Sequence, residues 1–381
     1  MALVISDWMR DELQRRKDLY RRLFAGEPLE RAPVDVRVTM PPQHTTQELF
    51  RDGEKQLQAA LASAMATWET LPDTDAIPAM RPDVGCSCLA SAFGCEYYWG
   101  PNPDQTPGIK GPIITDLEQQ VDSLPVPDPH RDGWLPEGLR RIRMFAEAGE
   151  GFVPVSLLDA AGGVNVAADL MGVTELLVAF HTAPEALHRL LDKIQDLYLA
   201  TIRAGIEAAG GQDNITTVDF PDTWFPEGFK GHASDDISAS FGPEIYREFS
   251  APYHARVFRE FGCGGLHNCG PNPCHEAYFE HEFSPRSLDL ASPYSDEDLP
   301  RLRESVKGRG FIYLYWDGER DPVEWYRSLM ETMAPDVLVV PIVMLPPDRD
   351  PAEICRQMRP ISLEYARRME WGWSRLPGAR G

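Results

Sequence analysis

His267 and Cys269 stand one residue apart in the run His267-Asn268-Cys269-Gly270-Pro271-Asn272-Pro273-Cys274-His275, and both are ligand types for a soft divalent metal. In an extended strand, residues two apart project to the same side, so imidazole and thiolate would face one point. A catalytic zinc takes three protein ligands and keeps one position open, so the pair needs a further donor. Cys274 and His275 could supply it through the loop, although Pro271 and Pro273 stiffen that loop. Cys86, Cys88 and Cys95 form a second group of thiols upstream. The plain alternative for each cysteine is burial, because free cysteine is among the residues most often found in cores.

Asp235-Asp236 adds two adjacent carboxylates. Alternation turns one of them inward, where low dielectric and neighbouring charge suit it to general acid chemistry or substrate anchoring, while the other faces out. A helix N-cap is the structural counterpart of that reading. Asp289 and Asp317 invite the same treatment. The aromatic residues Trp99, Trp224, Trp316, Tyr97, Tyr98, Tyr313 and Tyr315 could floor a cavity for a planar ligand, or simply pack. Phosphate-binding loops, dinucleotide fingerprints, nucleophile elbows and His-Glu-x-x-His helices do not occur.

Such groups need a scaffold that brings them together. Eight short apolar or β-branched runs, residues 32–40, 76–80, 152–158, 232–238, 264–269, 287–291, 311–316 and 337–344, are separated by helical or loop segments. This alternation predicts an α/β fold, a single (β/α)8 TIM barrel with right-handed crossovers, with an open doubly wound sheet as the alternative. Residues 7–24, apolar at Trp8, Leu13, Leu19, Leu23 and Phe24, read as an amphipathic helix on the outside, ending at Gly26. The expected division is an N-terminal helical extension, 1–31, packed on a barrel, 32–381. Residues 47–71 and 184–209 read as helices, the second with Pro184 in its first turn and Gly210-Gly211 beyond its end. The connection 85–131, rich in Pro and Gly, reads as an elaborated loop over one barrel end, of the kind that serves as a lid.

Barrel chemistry sits at the C-terminal ends of the strands. That rule gathers Asp236, His267 and Asp289 as catalytic candidates, His267 and Cys269 as metal ligands, and Asn165, Asp235 and Trp316 as cofactor contacts. Arg37, Arg81, Cys86, Cys88, Asp159 and Asp317 fall at the same rim.

Composition sets outer limits. The chain has 381 residues, 43% hydrophobic and 25% charged, enough for a substantial core. A formal charge of -22 argues against nucleic acid or an anionic membrane as partner, since both select clustered Lys and Arg. The apolar run 337–343 is far shorter than the roughly 20 residues that cross a bilayer. Met1-Ala2-Leu3-Val4-Ile5 leads directly to Asp7, Arg10 and Asp11, which reads as no export signal. The seven cysteines are therefore expected to be reduced, and the chain cytoplasmic.

Longer motifs carry a family resemblance. The run Leu19-Tyr20-Arg21-Arg22-Leu23-Phe24-Ala25-Gly26-Glu27-Pro28-Leu29-Glu30-Arg31-Ala32-Pro33-Val34 is similar to the opening helix and Asp-Arg-x-Pro-Val turn of the uroporphyrinogen decarboxylase superfamily, with Glu30 in place of the Asp. Leu170-Met171-Gly172, then Asp235-Asp236 followed by Phe241-Gly242-Pro243-Glu244-Ile245-Tyr246, and finally His267-Asn268-Cys269-Gly270 continue the likeness in the same order. The resemblance implies the (β/α)8 barrel with a funnel-like mouth and, in the superfamily, a homodimer.

The departures separate its branches. Where the decarboxylase branch carries an Arg-rich segment for substrate carboxylates, this chain has Val38-Thr39-Met40-Pro41-Pro42-Gln43-His44, and Val343-Met344-Leu345-Pro346-Pro347 replaces a Gly-His-Gly segment. The methyltransferase branch implies zinc on a His-x-Cys pair and a further Cys near the last strand, a thiol acceptor such as coenzyme M, and a corrinoid supplied by a partner protein. His267 and Cys269 match the pair. No Cys lies in 337–347, and Cys355 falls later.

The first expectation is a corrinoid-linked methyltransferase moving a methyl group between a small substrate or thiol and a cobalamin. The alternatives are a decarboxylase using Asp236 with Arg37 or Arg81, and a non-catalytic barrel that binds a tetrapyrrole or corrinoid.

Overall fold

Runs of buried aliphatic and aromatic residues form six parallel strands: β1 (Asp35–Val38), β2 (His232–Ser234), β3 (Gly265–Asn268), β4 (Ser287–Ala291), β5 (Phe311–Tyr315) and β6 (Val339–Leu345). The computed structural model describes residues 3–374. Strands without a solvent face belong to parallel sheets covered by helices. From β2 to β6 each strand lies beside its successor, and β6 pairs in parallel with β1. A first strand beside the last is the order of a ring; a doubly wound sheet reverses direction in its middle. The fold is accordingly α/β, of the (β/α)8 barrel class.

The wall is less regular than eight matched strands. The runs expected at 76–80 and 152–158 contribute single parallel bridges, Met80 to Val155, and Val155 to Ile215, the last in a segment that the sequence did not nominate. On this side the wall is stitched by isolated bonds. The Asp75 N–H donates to Val34 O at 2.9 Å, the Val36 N–H to Thr74 Oγ1 at 3.0 Å, and the Val218 N–H to Lys230 O at 3.0 Å. Prolines at 78, 82, 154 and 221 remove ladder donors along these segments, which explains the loss of regular pairing.

Helix α1 (Asp7–Ala25) opens on the Ser6 side chain, which accepts from the Met9 N–H, and stops at Gly26, whose φ of 74° suits glycine. It buries Met9, Arg16, Tyr20, Leu23 and Phe24, whereas Trp8 is 44% exposed and lies off the inner face. The helix expected over 47–71 is two helices, Thr46–Arg51 and Gly53–Thr70. Asp52 divides them: its backbone is extended and its carboxylate accepts from the Glu54 and Lys55 N–H groups, capping the second helix. Helix α2 (Pro184–Ala208) follows its expected start and ends one residue early. The connection 85–131 holds a short helix, Cys88–Ala92, and a two-stranded ribbon, Tyr97–Tyr98 with Gly108–Ile109.

The first and last described elements meet. Helix α4 (Pro351–Arg368) follows α3 (Ala251–Phe261) and packs on β1, where Ser362 accepts from the Ala32 N–H at 3.0 Å and its hydroxyl donates back to Ala32 O at 2.6 Å. Trp373 donates its indole N–H to Leu23 O at 2.7 Å. No single helix among the described residues is long and apolar enough to cross a membrane.

Register places the chemistry. Ser234, His267, Asp289, Tyr313 and Val340 form one row across β2 to β6. Gly264, just before β3, lets that strand approach its neighbours: a Cβ there would lie 2.0 Å from Phe229 O and 2.2 Å from Gly231 O. We expect Gly264→Ala to lower stability by at least about 3 kcal/mol, because backbone has to move to admit the methyl. Chemical denaturation reads this as a drop in the unfolding midpoint; a midpoint equal to the parent's would refute the close approach.

Candidate metal centre

The barrel's C-terminal mouth holds a cavity of about 640 Å³ lined by His267, Cys269, Asp236, Asn165, Arg81 and Asp159, with Phe220 and Tyr315 among its apolar walls. β3 delivers the first two residues. The buried His267 ring places Nε2 3.3 Å from Cys269 Sγ and 3.4 Å from Asp236 Oδ1. Among the described residues, Asp236, His267 and Cys269 are the group whose nitrogen, sulfur and oxygen donors all converge within 4.8 Å of one another.

Asp236 begins the 3-10 turn that follows β2. The register that sets Ser234 opposite His267 brings position 236 beside position 269. Its Oδ1 accepts from the Cys269 N–H at 2.9 Å, and its Oδ2 accepts from the Ser234 hydroxyl at 3.2 Å. Asn165 accepts from the Ile237 N–H at 2.9 Å and so braces the turn from the facing helix, Gly163–Met171. The carboxylate is thereby aimed before any ligand arrives.

The three donors fit a metal. Nitrogen, sulfur and oxygen ligands at about 2.0–2.3 Å from a tetrahedral zinc lie roughly 3.3–3.8 Å from one another. The two separations at Nε2, 3.3 and 3.4 Å, fall in that range. Three protein ligands beside an open cavity also correspond to a catalytic zinc, which keeps its fourth position free.

Behind the ring, Asp289 Oδ1 lies 3.6 Å from His267 Nδ1, and its Oδ2 lies 3.6 Å from Nε2 of the fully buried His232. His232 Nδ1 in turn lies 3.6 Å from Asp219 Oδ2, which accepts from the Tyr198 hydroxyl at 3.1 Å. A file of alternating carboxylates and imidazoles thus runs from the barrel interior to the cavity. Burial disfavours the His267 cation, but Asp236 and Asp289 outweigh it and hold its pKa well above the usual histidine value. Burial also works against the Asp236 and Asp289 anions, and the imidazoles facing them keep both carboxyls below the ordinary range. Phe220 sets its ring edge-on to His267, with centroids 5.0 Å apart, and closes the apolar side.

The sequence candidates divide accordingly. Asp236, His267, Cys269 and Asn165 line the cavity. Asp289 is 1% exposed and touches His267 rather than the cavity, so it is a positioning residue. Asp235 is turned away from the mouth and buried against His254, 3.6 Å from its Nε2, and burial raises its carboxyl to about 7. It is thus removed from the proposed cofactor contacts. Trp316 also lies outside the lining: its indole N–H donates to Arg320 O at 3.1 Å and Arg349 covers its ring.

Cys274 points its thiol at Phe241 O, 3.2 Å away, and His275 bonds Ser305, so neither joins the donor group. Cys88 is buried with its thiol on Asp159 O, while Cys86 reaches the cavity wall. Arg37 is enclosed by Asp35 at 2.7 Å and Asp222 at 2.6 Å, and Arg81 lies 2.8 Å from Asp159 and 3.2 Å from Asp83. Both arginines nominated for a substrate carboxylate are already paired. Sequence reasoning missed His232 and Asp219. The signal for His232 was available, since it stands two and four residues before Ser234 and Asp236 on an alternating strand.

Residues 15–299 match the family described as Uroporphyrinogen decarboxylase (URO-D). The chain is 30% identical over 196 residues to a methylated-thiol–coenzyme M methyltransferase of Methanosarcina mazei, a match covering 51% of this chain and 47% of that protein. It therefore spans about half the length of that relative. A solved structure, a methyltransferase from Methanosarcina mazei, superposes with a TM-score of 0.65 at 19% identity, covering 92% of this chain and 98% of that one, which speaks for the fold.

In metal-free protein the His267 imidazolium, held above its unfolded value of about 6.5, stabilises the fold below that pH, and the contribution is lost as pH rises through the folded value. NMR titration should find the ring doubly protonated at pH 7. Asp236→Asn should lower its pKa by removing one of two facing carboxylates. A ring titrating near 6.5 in the metal-free parent would disprove the paired geometry.

Proposed function

This chain belongs to the uroporphyrinogen decarboxylase family, and from that premise we propose that it is a zinc-dependent methyltransferase that passes a methyl group from a corrinoid carried by a partner protein to a small thiol. The observation that carries the reading is the meeting of three different donors, the Asp236 carboxylate, the His267 imidazole and the Cys269 thiolate, at one point of the cavity wall. Bound there, zinc would depress the pKa of an incoming thiol and present it as a nucleophile.

The chain's own residues do the positioning. Asp289 faces Nδ1 of His267, which turns the Nε2 lone pair toward Asp236 and Cys269, the arrangement by which carboxylates orient metal-bound histidines. The Ser234 hydroxyl and the Cys269 N–H fix the two oxygens of Asp236. Asp236 thus takes the place that the resemblance reserves for a Cys near the last strand. Phe220, Tyr315, Ala291 and Met344 contribute apolar surface to the wall, which limits water near the reacting sulfur. The lyase alternative lacks an unpaired cation to hold a carboxylate, since Arg37 and Arg81 are both engaged.

Purified protein should carry about one zinc per chain and should methylate a thiol from methylcobalamin. Cys269→Ser and His267→Gln should each cut metal affinity and transfer by at least about a hundredfold, while Asp289→Asn should weaken zinc by roughly 10- to 100-fold with its ligands intact. Elemental analysis and a spectrophotometric transfer assay check this. Protein that is free of zinc after zinc loading, or a Cys269→Ser variant with parental transfer, would remove the proposal.

A further inference from the structure

The cavity wall has an unusual charge balance. Two of its side chains are basic, Arg81 and His267. The His267 ring stands between Asp236 and Asp289. Arg81 is shared by Asp159 and Asp83, and its guanidinium lies over the Phe220 ring, 4.9 Å from the centroid. Opposed to them, the lining carries Asp159, Asp169, Asp222 and Asp236. Asp222 meets Arg37, but Arg37 is also claimed by Asp35. Asp169, on helix Gly163–Met171, forms no ion pair among the described residues; the Ser87 side chain bonds it, and burial raises its carboxyl above the ordinary value. Every guanidinium at this site thus answers more than one carboxylate.

Away from the three donors, an anionic group entering the cavity finds no unpaired guanidinium or ammonium and faces the carboxyls of Asp159, Asp169 and Asp222 in a region of reduced dielectric. An ammonium finds the reverse.

We infer that the site selects a thiol whose remote end is cationic, an aminoalkylthiol, over one whose remote end is a sulfonate or carboxylate, and that Asp169 is the residue that sets this preference. The inference rests on the thiol-activating reading above. It also sets this chain apart from the relative whose name includes coenzyme M, a thiol that ends in a sulfonate.

Three thiols of equal length isolate the charge: 2-aminoethanethiol, 2-mercaptoethanol and 2-mercaptoethanesulfonate. Calorimetry on the zinc-loaded chain should give binding at least about tenfold tighter for the amine than for the sulfonate, with the alcohol between, and the gap should shrink as salt is raised. Asp169→Asn should bring the amine and the sulfonate to within about threefold of each other and raise KM for the amine while leaving kcat near the parent's. Sulfonate binding equal to or tighter than amine binding, failure of all three to bind, or an Asp169→Asn variant with the parent's order would each overturn the inference. The intended order of binding without methyl transfer to any of the three would leave the charge preference standing and refute the methyltransferase reading instead.

Discussion

Five ionisable groups lie under and beside the cavity floor in the order Asp219, His232, Asp289, His267, Asp236, and they coexist there because their signs alternate. Each charge taken out of water carries a desolvation cost that only an opposite neighbour offsets. Removing one member deprives each of its neighbours of an opposing charge, and breaking a single buried pair costs about 3–5 kcal/mol. The arrangement therefore fixes more than stability. It holds the His267 ring in one orientation, and that orientation decides which nitrogen looks into the cavity. The inward row Ser234, His267, Asp289 and Tyr313 exists because strands β2 to β5 keep register, whereas the opposite wall, held by single bridges, brings Arg81, Asp159 and Phe220 to the cavity from the segments beyond them.

Much of this was legible from the residues. Six of the eight expected runs are strands, and the His-x-Cys pair faces one point as alternation requires. The remaining two runs pair through single residues, since proline removes donors that a propensity pattern does not count. The third donor could not be read, because it depends on register. Asp236 precedes His267 by 31 positions, and only the pairing of Ser234 with His267 makes them neighbours. The resemblance implies a sulfur as the third donor, whereas the fold brings a carboxylate oxygen beside the pair. Alternation carries on from His232 and Ser234 to Asp236, which lines the cavity, whereas Asp235, also nominated as a contact, is turned away against His254. Single-residue caps such as Asp52, which divides an otherwise continuous helical pattern, are likewise outweighed when periodicity is read over long windows.

A common scaffold with altered charges is how one fold comes to serve different substrates. The segment after β1, which in the resembling decarboxylases gathers arginines, here presents methionine and prolines, and the arginine within β1 is sequestered by Asp35 and Asp222. Acidic groups now dominate a mouth that would need to be basic to hold a polycarboxylate. The His-x-Cys pair stands at the end of β3 and a carboxylate joins it from the turn after β2, while the wall around them is mostly acidic.

The pairing of β1 with β6 bears on how the fold is made. β1 is synthesised well before its neighbour β6 and the covering helix α4, and Trp373 reaches back to the carbonyl of Leu23 near the end of α1. An emerging polypeptide must therefore hold its first strand with one open edge until β6 has been made. Termination before β6 would leave that edge exposed, so such products become clients for chaperones or proteases rather than stable folds.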